Sequence, residues 1–163
     1  MSRRLILMRH AKSSWKHEGL ADHERPLNKR GRRDAPRIAA RLRELDWIPD
    51  VAISSDSQRT RETWARMGDT FPDVPVRFEP ALYHAGLSEL QASAAAWDPD
   101  WGCVLVLGHN PGWEEALGQL CHVEEVLTTG NAALLQGEGE RWSDALSGDW
   151  TLQLLLRPRP PSE

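Results

Sequence analysis

Two short apolar runs each stop at a histidine. Leu5-Ile6-Leu7-Met8 ends in Arg9-His10, and Cys103-Val104-Leu105-Val106-Leu107 ends in Gly108-His109 a hundred residues later. The repeated design points at a catalytic centre. A continuous apolar run of this length, bounded by polar or glycine residues, reads as a strand buried on both faces, as in a parallel sheet covered by helices. Polar residues at the carboxyl ends of such strands line the ligand crevice of open α/β sheets, so the two imidazoles and the guanidinium can meet in space.

The elements that must position them follow from periodicity and capping. Pro26-Leu27-Asn28 looks like a helix entrance, with Ala35, Ile38, Ala39, Leu42 and Leu45 at three-and-four spacing behind it; Pro36 should kink that helix or mark its true start. Residues 50–54 read as a second strand, followed by a helix with Thr60, Thr63, Trp64 and Met67 on one face and Gly68 as its stop. A proline-punctuated segment, 72–80, holds a short strand at 76–78, and Ser88-Glu89-Leu90-Gln91 fits a capping box for a helix ending near Trp97. After His109, Asn110 is placed to cap and Pro111 to open a helix whose buried stripe is Trp113, Ala116, Leu117 and Leu120. Late strands are expected over 132–136 and 151–156.

Composition bounds the protein. At 163 residues and 40% apolar, the chain suits one compact domain, expected over 1–157, with a proline-rich tail at 158–163 that should fray. Four apolar residues before Arg9 are too few for a signal-peptide core of about 7–15 residues or a membrane span of about 20, which predicts a cytoplasmic protein with no membrane partner. Cys103 and Cys121 lack CxxC spacing and read as reduced thiols. The net charge of −4 hides an asymmetry: residues 1–66 carry 16 Lys and Arg against 9 Asp and Glu, and the rest carry 4 against 15. A basic half suggests an anionic partner, and equally fits a solvated face or a nucleic-acid patch. Eight tryptophans scatter without forming an aromatic recognition surface.

Four segments occur in a telling order: LILMRHAKSSW, RPLNKRGRRDA, SSDSQRTRET and VLVLGHNPG, with a fainter TTGNAALL at 128–135. Their order resembles the histidine phosphatase superfamily, and within it the small SixA-type phosphohistidine phosphatases. The resemblance implies an α/β three-layer sandwich, phosphoglycerate-mutase-like, with a mostly parallel central sheet flanked by helices. It makes His10 a transiently phosphorylated nucleophile and Arg9, Arg59 and His109 its companions in the phosphate pocket. Arg59 is preferred to Arg61 because the family's arginine precedes a threonine by four residues, here Thr63; Arg61 then reaches the substrate's edge. The family's usual glycine after the first histidine is Ala11. Further contacts are expected from Lys12, Ser13, Arg25, Asn28, Thr129, Gly130 and Asn131, with neither metal nor cofactor.

The chemistry of these residues agrees. Phosphoryl transfer spreads charge over three oxygens, which arginine forks match without proton transfer. Two guanidinium neighbours disfavour the imidazolium and should push His10 below its usual 6.5, leaving it free to attack. His109, at an expected helix start, can donate to a phosphoryl oxygen. An ester leaves as a poor alkoxide and needs a general acid, whereas phosphohistidine leaves as imidazole and needs little help. The region 78–89 is short, and Glu79, Tyr83, His84 and Glu89 are its evident donors, with Glu79 and His84 the candidates taken forward. The expected substrate is a phosphohistidine on a protein, with a small phosphate ester as the alternative. A metal-dependent hydrolase lacks HxH or HExxH spacing, a nucleic-acid module lacks a recognised motif, and a non-catalytic phosphate binder would not need His10 to attack. The cluster Lys29, Arg30, Arg32 and Arg33 reads as a solvated helix face.

Overall fold

A computed structural model describes residues 1–158; the rest of the expected tail, 159–163, lies outside the described residues. Six strands form one sheet in the order β3-β2-β4-β1-β5-β6. The strands are β1 (Ser2–Arg9), β2 (Val51–Ser55), β3 (Val76–Glu79), β4 (Cys103–Gly108), β5 (Ala132–Glu138) and β6 (Thr151–Leu156). The first four in space run parallel, and β5 and β6 join antiparallel. Helices α1 (Lys29–Glu44), α2 (Gln58–Met67) and α3 (Leu87–Ala94) lie in the connections between the parallel strands, α4 (Gly112–Cys121) leads from β4 to the antiparallel β5, and a one-turn α5 (Trp142–Ala145) lies between β5 and β6.

Alternation along the apolar runs sends side chains to both faces of the sheet. Leu5, Leu7, Val104 and Val106 pack beneath α3, α4 and α5, while Ile6, Met8, Leu105 and Leu107 pack beneath α1 and α2. This is the expected three-layer sandwich. Each such side chain contributes about 1.5–3 kcal/mol of burial, so both faces of β1 and β4 resist movement. Trp97, Trp142 and Trp150 meet in the first layer, while Trp15 is 76% exposed. Arg3 is fully buried, with no acidic partner among the described residues. Its guanidinium donates to the carbonyls of Gly139 (3.0 Å), Pro99 (2.6 Å), Trp101 (2.7 Å) and Glu140, and lies over the Trp142 ring. Both cysteines are free, and burial pushes the Cys103 thiol up to about 12 and that of Cys121 up to about 11.

Several local expectations need correction. Helix α1 starts at Lys29 and continues through Pro36. Asn28 caps α1, its side-chain oxygen accepting from the Gly31 N–H at 2.9 Å, which satisfies one of the free first-turn donors. Helix α3 begins one residue before Ser88 and ends at Ala94; Gly86 is the cap position, and Glu89 accepts from its N–H at 2.7 Å. Asn110 does not cap α4. Its amide nitrogen donates instead to Glu114 (2.9 Å) and to the Leu127 carbonyl (2.8 Å), and the helix starts after a cis Asn110-Pro111 bond.

Candidate active site

The parallel register sets Arg9 opposite Gly108, so His10 and His109 leave adjacent strands side by side with ring centroids 5.2 Å apart. The turn after His10 is held on three sides. The Ala11 N–H donates to Thr63 Oγ1 (3.1 Å), which itself donates to the Arg59 carbonyl (2.7 Å) and so ties the turn to α2. The Gly130 N–H, at φ +77°, donates to the His10 carbonyl at 2.8 Å. Gly31 in α1 lies against the Lys12 backbone so closely that a Cβ there would stand 2.2 Å from the Lys12 carbonyl oxygen.

His10 is 5% exposed, and its Nδ1 lies 2.7 Å from the Ala11 carbonyl. A carbonyl only accepts, so Nδ1 carries the ring proton and the lone pair sits on Nε2. Burial is the main force that lowers the His10 pKa to about 3, with His109, Arg59 and Arg9 adding to it. His109 is lowered likewise to about 3, first by burial and then by Arg59. Its Nε2 meets the Ser55 hydroxyl at 2.9 Å, and Ser55 Oγ already accepts from the Ser57 N–H (3.3 Å). The His109 Nδ1 is buried without a hydrogen-bond partner among the described residues, as are Arg9 Nε and Asn131 Nδ2. The last two are donors, and buried donors seldom go unmet, so this end of the sheet suits an anion.

Arg9 Nη1 donates to the Leu127 carbonyl at 3.0 Å, and Glu114 accepts from the Leu127 N–H at 3.1 Å, which steadies the Arg9 anchor. Arg59 is 7% exposed and points its fork at Asp22, with Nη1 2.7 Å from the backbone oxygen and Nη2 3.0 Å from the carboxylate. The other Asp22 oxygen takes Arg25 Nη1 at 2.9 Å, and the Tyr83 hydroxyl donates to the same oxygen as Arg59. Tyr83 first, then the two arginines, hold the Asp22 carboxyl far below the usual carboxylate range. Arg59, Asp22, Tyr83, His84 and His109 all border a cavity of about 710 Å³.

The remaining expected residues divide. Arg25 braces the loop before α1, donating to Ser13 Oγ (2.6 Å) and the Ser14 carbonyl (3.1 Å) and lying 3.2 Å from the centroid of the Trp15 ring. Asn28 is spent on capping, and Lys12 offers its carbonyl to the Asn28 N–H at 3.0 Å. Arg61 is exposed, bound to the Asp56 carbonyl and stacked on Phe78, so it does not border the cavity. Glu79 accepts from Ser93 in α3 and also stays off the cavity wall, whereas His84 lies on it. Thr129 sits half-buried in the turn closed by the Asn131 N–H and the Thr128 carbonyl, and Asn131 Oδ1 is taken by Thr128 and Arg157. Sequence reasoning missed Asp22, Ser55 and Glu114. For Asp22 a signal existed, the three-residue spacing to Arg25 within one tight turn.

Fold and site together define an α/β protein in which His10 and His109 leave adjacent strands, with Arg9 and Arg59 near enough to disfavour a charged His10 ring. The chain belongs to the histidine phosphatase superfamily (branch 1), whose profile matches residues 5–97, and is accordingly a hydrolase acting on phosphorylated substrates. An uncharacterized protein of Arabidopsis thaliana, described as chloroplastic, is 41% identical over 172 residues, covering 97% of this chain and 79% of its own. A structure from Nakamurella multipartitia, provisionally assigned as the phosphohistidine phosphatase SixA, is 31% identical with a TM-score of 0.85, covering 98% of each chain. One from Agrobacterium tumefaciens with the same provisional assignment is 26% identical with a TM-score of 0.81, covering 96% of this chain and 98% of its own. No helix among the described residues is long and apolar enough to cross a membrane.

Proposed function

We propose that the protein hydrolyses phosphohistidine carried on another protein, passing the phosphoryl group through Nε2 of His10. The observation that carries this reading is the Ala11 carbonyl on His10 Nδ1, which leaves a lone pair on Nε2 within a cationic pocket. In the first step that lone pair attacks phosphorus and the substrate's P–N bond breaks, its electron pair returning to the departing imidazole. A substrate ring already protonated on its distal nitrogen departs neutral, so no proton need be supplied. Phosphorylated His10, still protonated on Nδ1, is then itself a protonated phosphoramidate. Water attacks, the P–N bond to His10 breaks, and both water protons leave with the phosphate as dihydrogen phosphate.

Arg9, Arg59 and His109 would hold the three equatorial oxygens, each donor of this kind being worth roughly 10²–10³ in rate. The connection between β3 and α3 supports a protein substrate, since it spans only residues 80–86, of which 83–86 form part of the cavity wall. The likeness to the two SixA-assigned structures points the same way. A cytoplasmic setting belongs to this proposal, although the Arabidopsis relative carries a chloroplastic description.

The test compares a phosphohistidine-bearing carrier protein with p-nitrophenyl phosphate, using wild type and His10→Ala. The expected result is a preference for the carrier, an acid-labile phosphoryl group trapped on wild type, and neither in the variant. A preference for the ester would make the protein a general phosphomonoesterase, and phosphate binding without turnover would make it a binder.

A further inference from the structure

We propose that Asp22 selects the leaving group: its carboxylate favours phosphoramidates that depart from a cationic ring over phosphate esters whose departing portion carries negative charge. The inference rests on the reading above for the identity of the favoured substrate, and on geometry for the selection itself.

In-line transfer requires the leaving group to lie opposite the attacking Nε2 of His10. His10 is buried with its ring 5.2 Å from that of His109, which borders the cavity, so the leaving group departs toward that cavity. Asp22 lies on the same wall as His109 and Arg59. Its side chain is 53% exposed, yet it is fixed by Arg59, Arg25 and the Tyr83 hydroxyl. The same cavity carries two further carboxylates on its wall, Glu89 and Glu115, and Arg59 is the one guanidinium among the described lining residues. The cavity wall thus carries three carboxylates against one guanidinium.

Two other arginines in the neighbourhood could have greeted a negatively charged leaving group, and neither is free to. Arg25 is 8% exposed and committed to Ser13, Ser14 and Asp22, and Arg61 is stacked on Phe78. A phosphorylated hydroxy acid would set its carboxylate toward a wall of three carboxylates, whose one guanidinium, Arg59, is already bonded to Asp22. An N-phosphorylated imidazole protonated on its distal nitrogen presents an N–H with positive charge to that same carboxylate. The contact stabilises the protonated ring while the P–N bond breaks, and the neutral imidazole that results leaves with its N–H intact. Charge complementarity at such a rim acts as discrimination between partners.

The experiment measures kcat/KM of wild type, Asp22→Asn and Asp22→Glu on N-phosphoimidazole, p-nitrophenyl phosphate and phosphoglycolate. Asparagine keeps an oxygen for Arg59 and Tyr83 while removing the charge. The expected outcome is that Asp22→Asn shifts the N-phosphoimidazole to phosphoglycolate ratio by about tenfold toward phosphoglycolate, equivalent to 1.4 kcal/mol, and that Asp22→Glu restores most of it. Ratios taken within one preparation are unaffected by any loss of folded enzyme. Equal falls on all three substrates would overturn the proposal and leave Asp22 as a positioning residue for Arg59. If wild type fails on N-phosphoimidazole and on the phosphohistidine carrier, the substrate reading falls by itself. The phosphoglycolate to p-nitrophenyl phosphate ratio then still decides the role of Asp22, rising in Asp22→Asn if the charge selects and holding steady if it does not.

Discussion

Acidification from pH 8 to pH 5 should destabilise the protein through its two active-site imidazoles. Both His10 and His109 are lowered to about 3 in the folded state, chiefly because burial removes water from the charged form. In the unfolded chain each returns to about 6.5. With the folded value below the unfolded one, the unfolded state takes up the proton first as pH falls. The stabilisation is therefore complete above 6.5 and is lost progressively toward 3. At pH 5 the unfolded rings sit about 1.5 pH units below their midpoint, so each costs about 2 kcal/mol and the pair about 4 kcal/mol. That is a large part of a typical stability of roughly 5–15 kcal/mol. Urea unfolding at both pH values would be compared for wild type, His10→Gln and the double variant with His109→Gln. Each substitution should remove about 2 kcal/mol of the pH difference, whatever it does to stability at pH 8. A double variant as pH-sensitive as wild type would refute the neutral-ring assignment on which the nucleophile depends.

Replacing Arg3 by Met withdraws the guanidinium from the Gly139, Pro99 and Glu140 carbonyls and leaves the Trp101 carbonyl with only the Trp142 indole N–H (2.9 Å), and urea unfolding at pH 8 should report a loss of about 3 kcal/mol. A loss under about 1 kcal/mol would show that those carbonyls find other partners. Arg59→Met should lower kcat/KM on p-nitrophenyl phosphate by about 100-fold or more, while Arg61→Met stays within about threefold of wild type. Equal losses from the two would return Arg61 to the pocket and contradict its stacking on Phe78.

The strands and their central histidines were legible because unbroken apolar runs ending in a polar residue have few other uses in a chain of this length. Burial on both faces was legible too, and the structure sends Leu5 and Ile6 to opposite layers. Helix ends were less legible. Ser88 is a good cap by type, but the Gly86 N–H competes for Glu89 from two residues earlier, and local sequence does not rank the two. Asn110 failed as a cap because its partners, Glu114 and Leu127, include one 17 residues away. The choice of Arg59 over Arg61 came from family spacing, and the packing of Arg61 on β3 supplies its physical reason. Asp22 escaped notice because an acid beside an expected phosphate pocket looks unfavourable until the arginine it restrains is seen.

The distance between the His10 and His109 rings is set by the hydrogen-bond ladder joining β1 to β4. Neighbouring strands stand about 4.8 Å apart, and the histidines that follow paired residues Arg9 and Gly108 keep nearly that separation. Tolerances of a few tenths of an ångström are thereby delegated to backbone geometry, the least variable dimension a protein has. The arginine fork at this site is held differently, by Asp22 and Tyr83 from the connecting segments 12–28 and 80–86, so changes there act on Arg59 and leave the spacing of the rings alone.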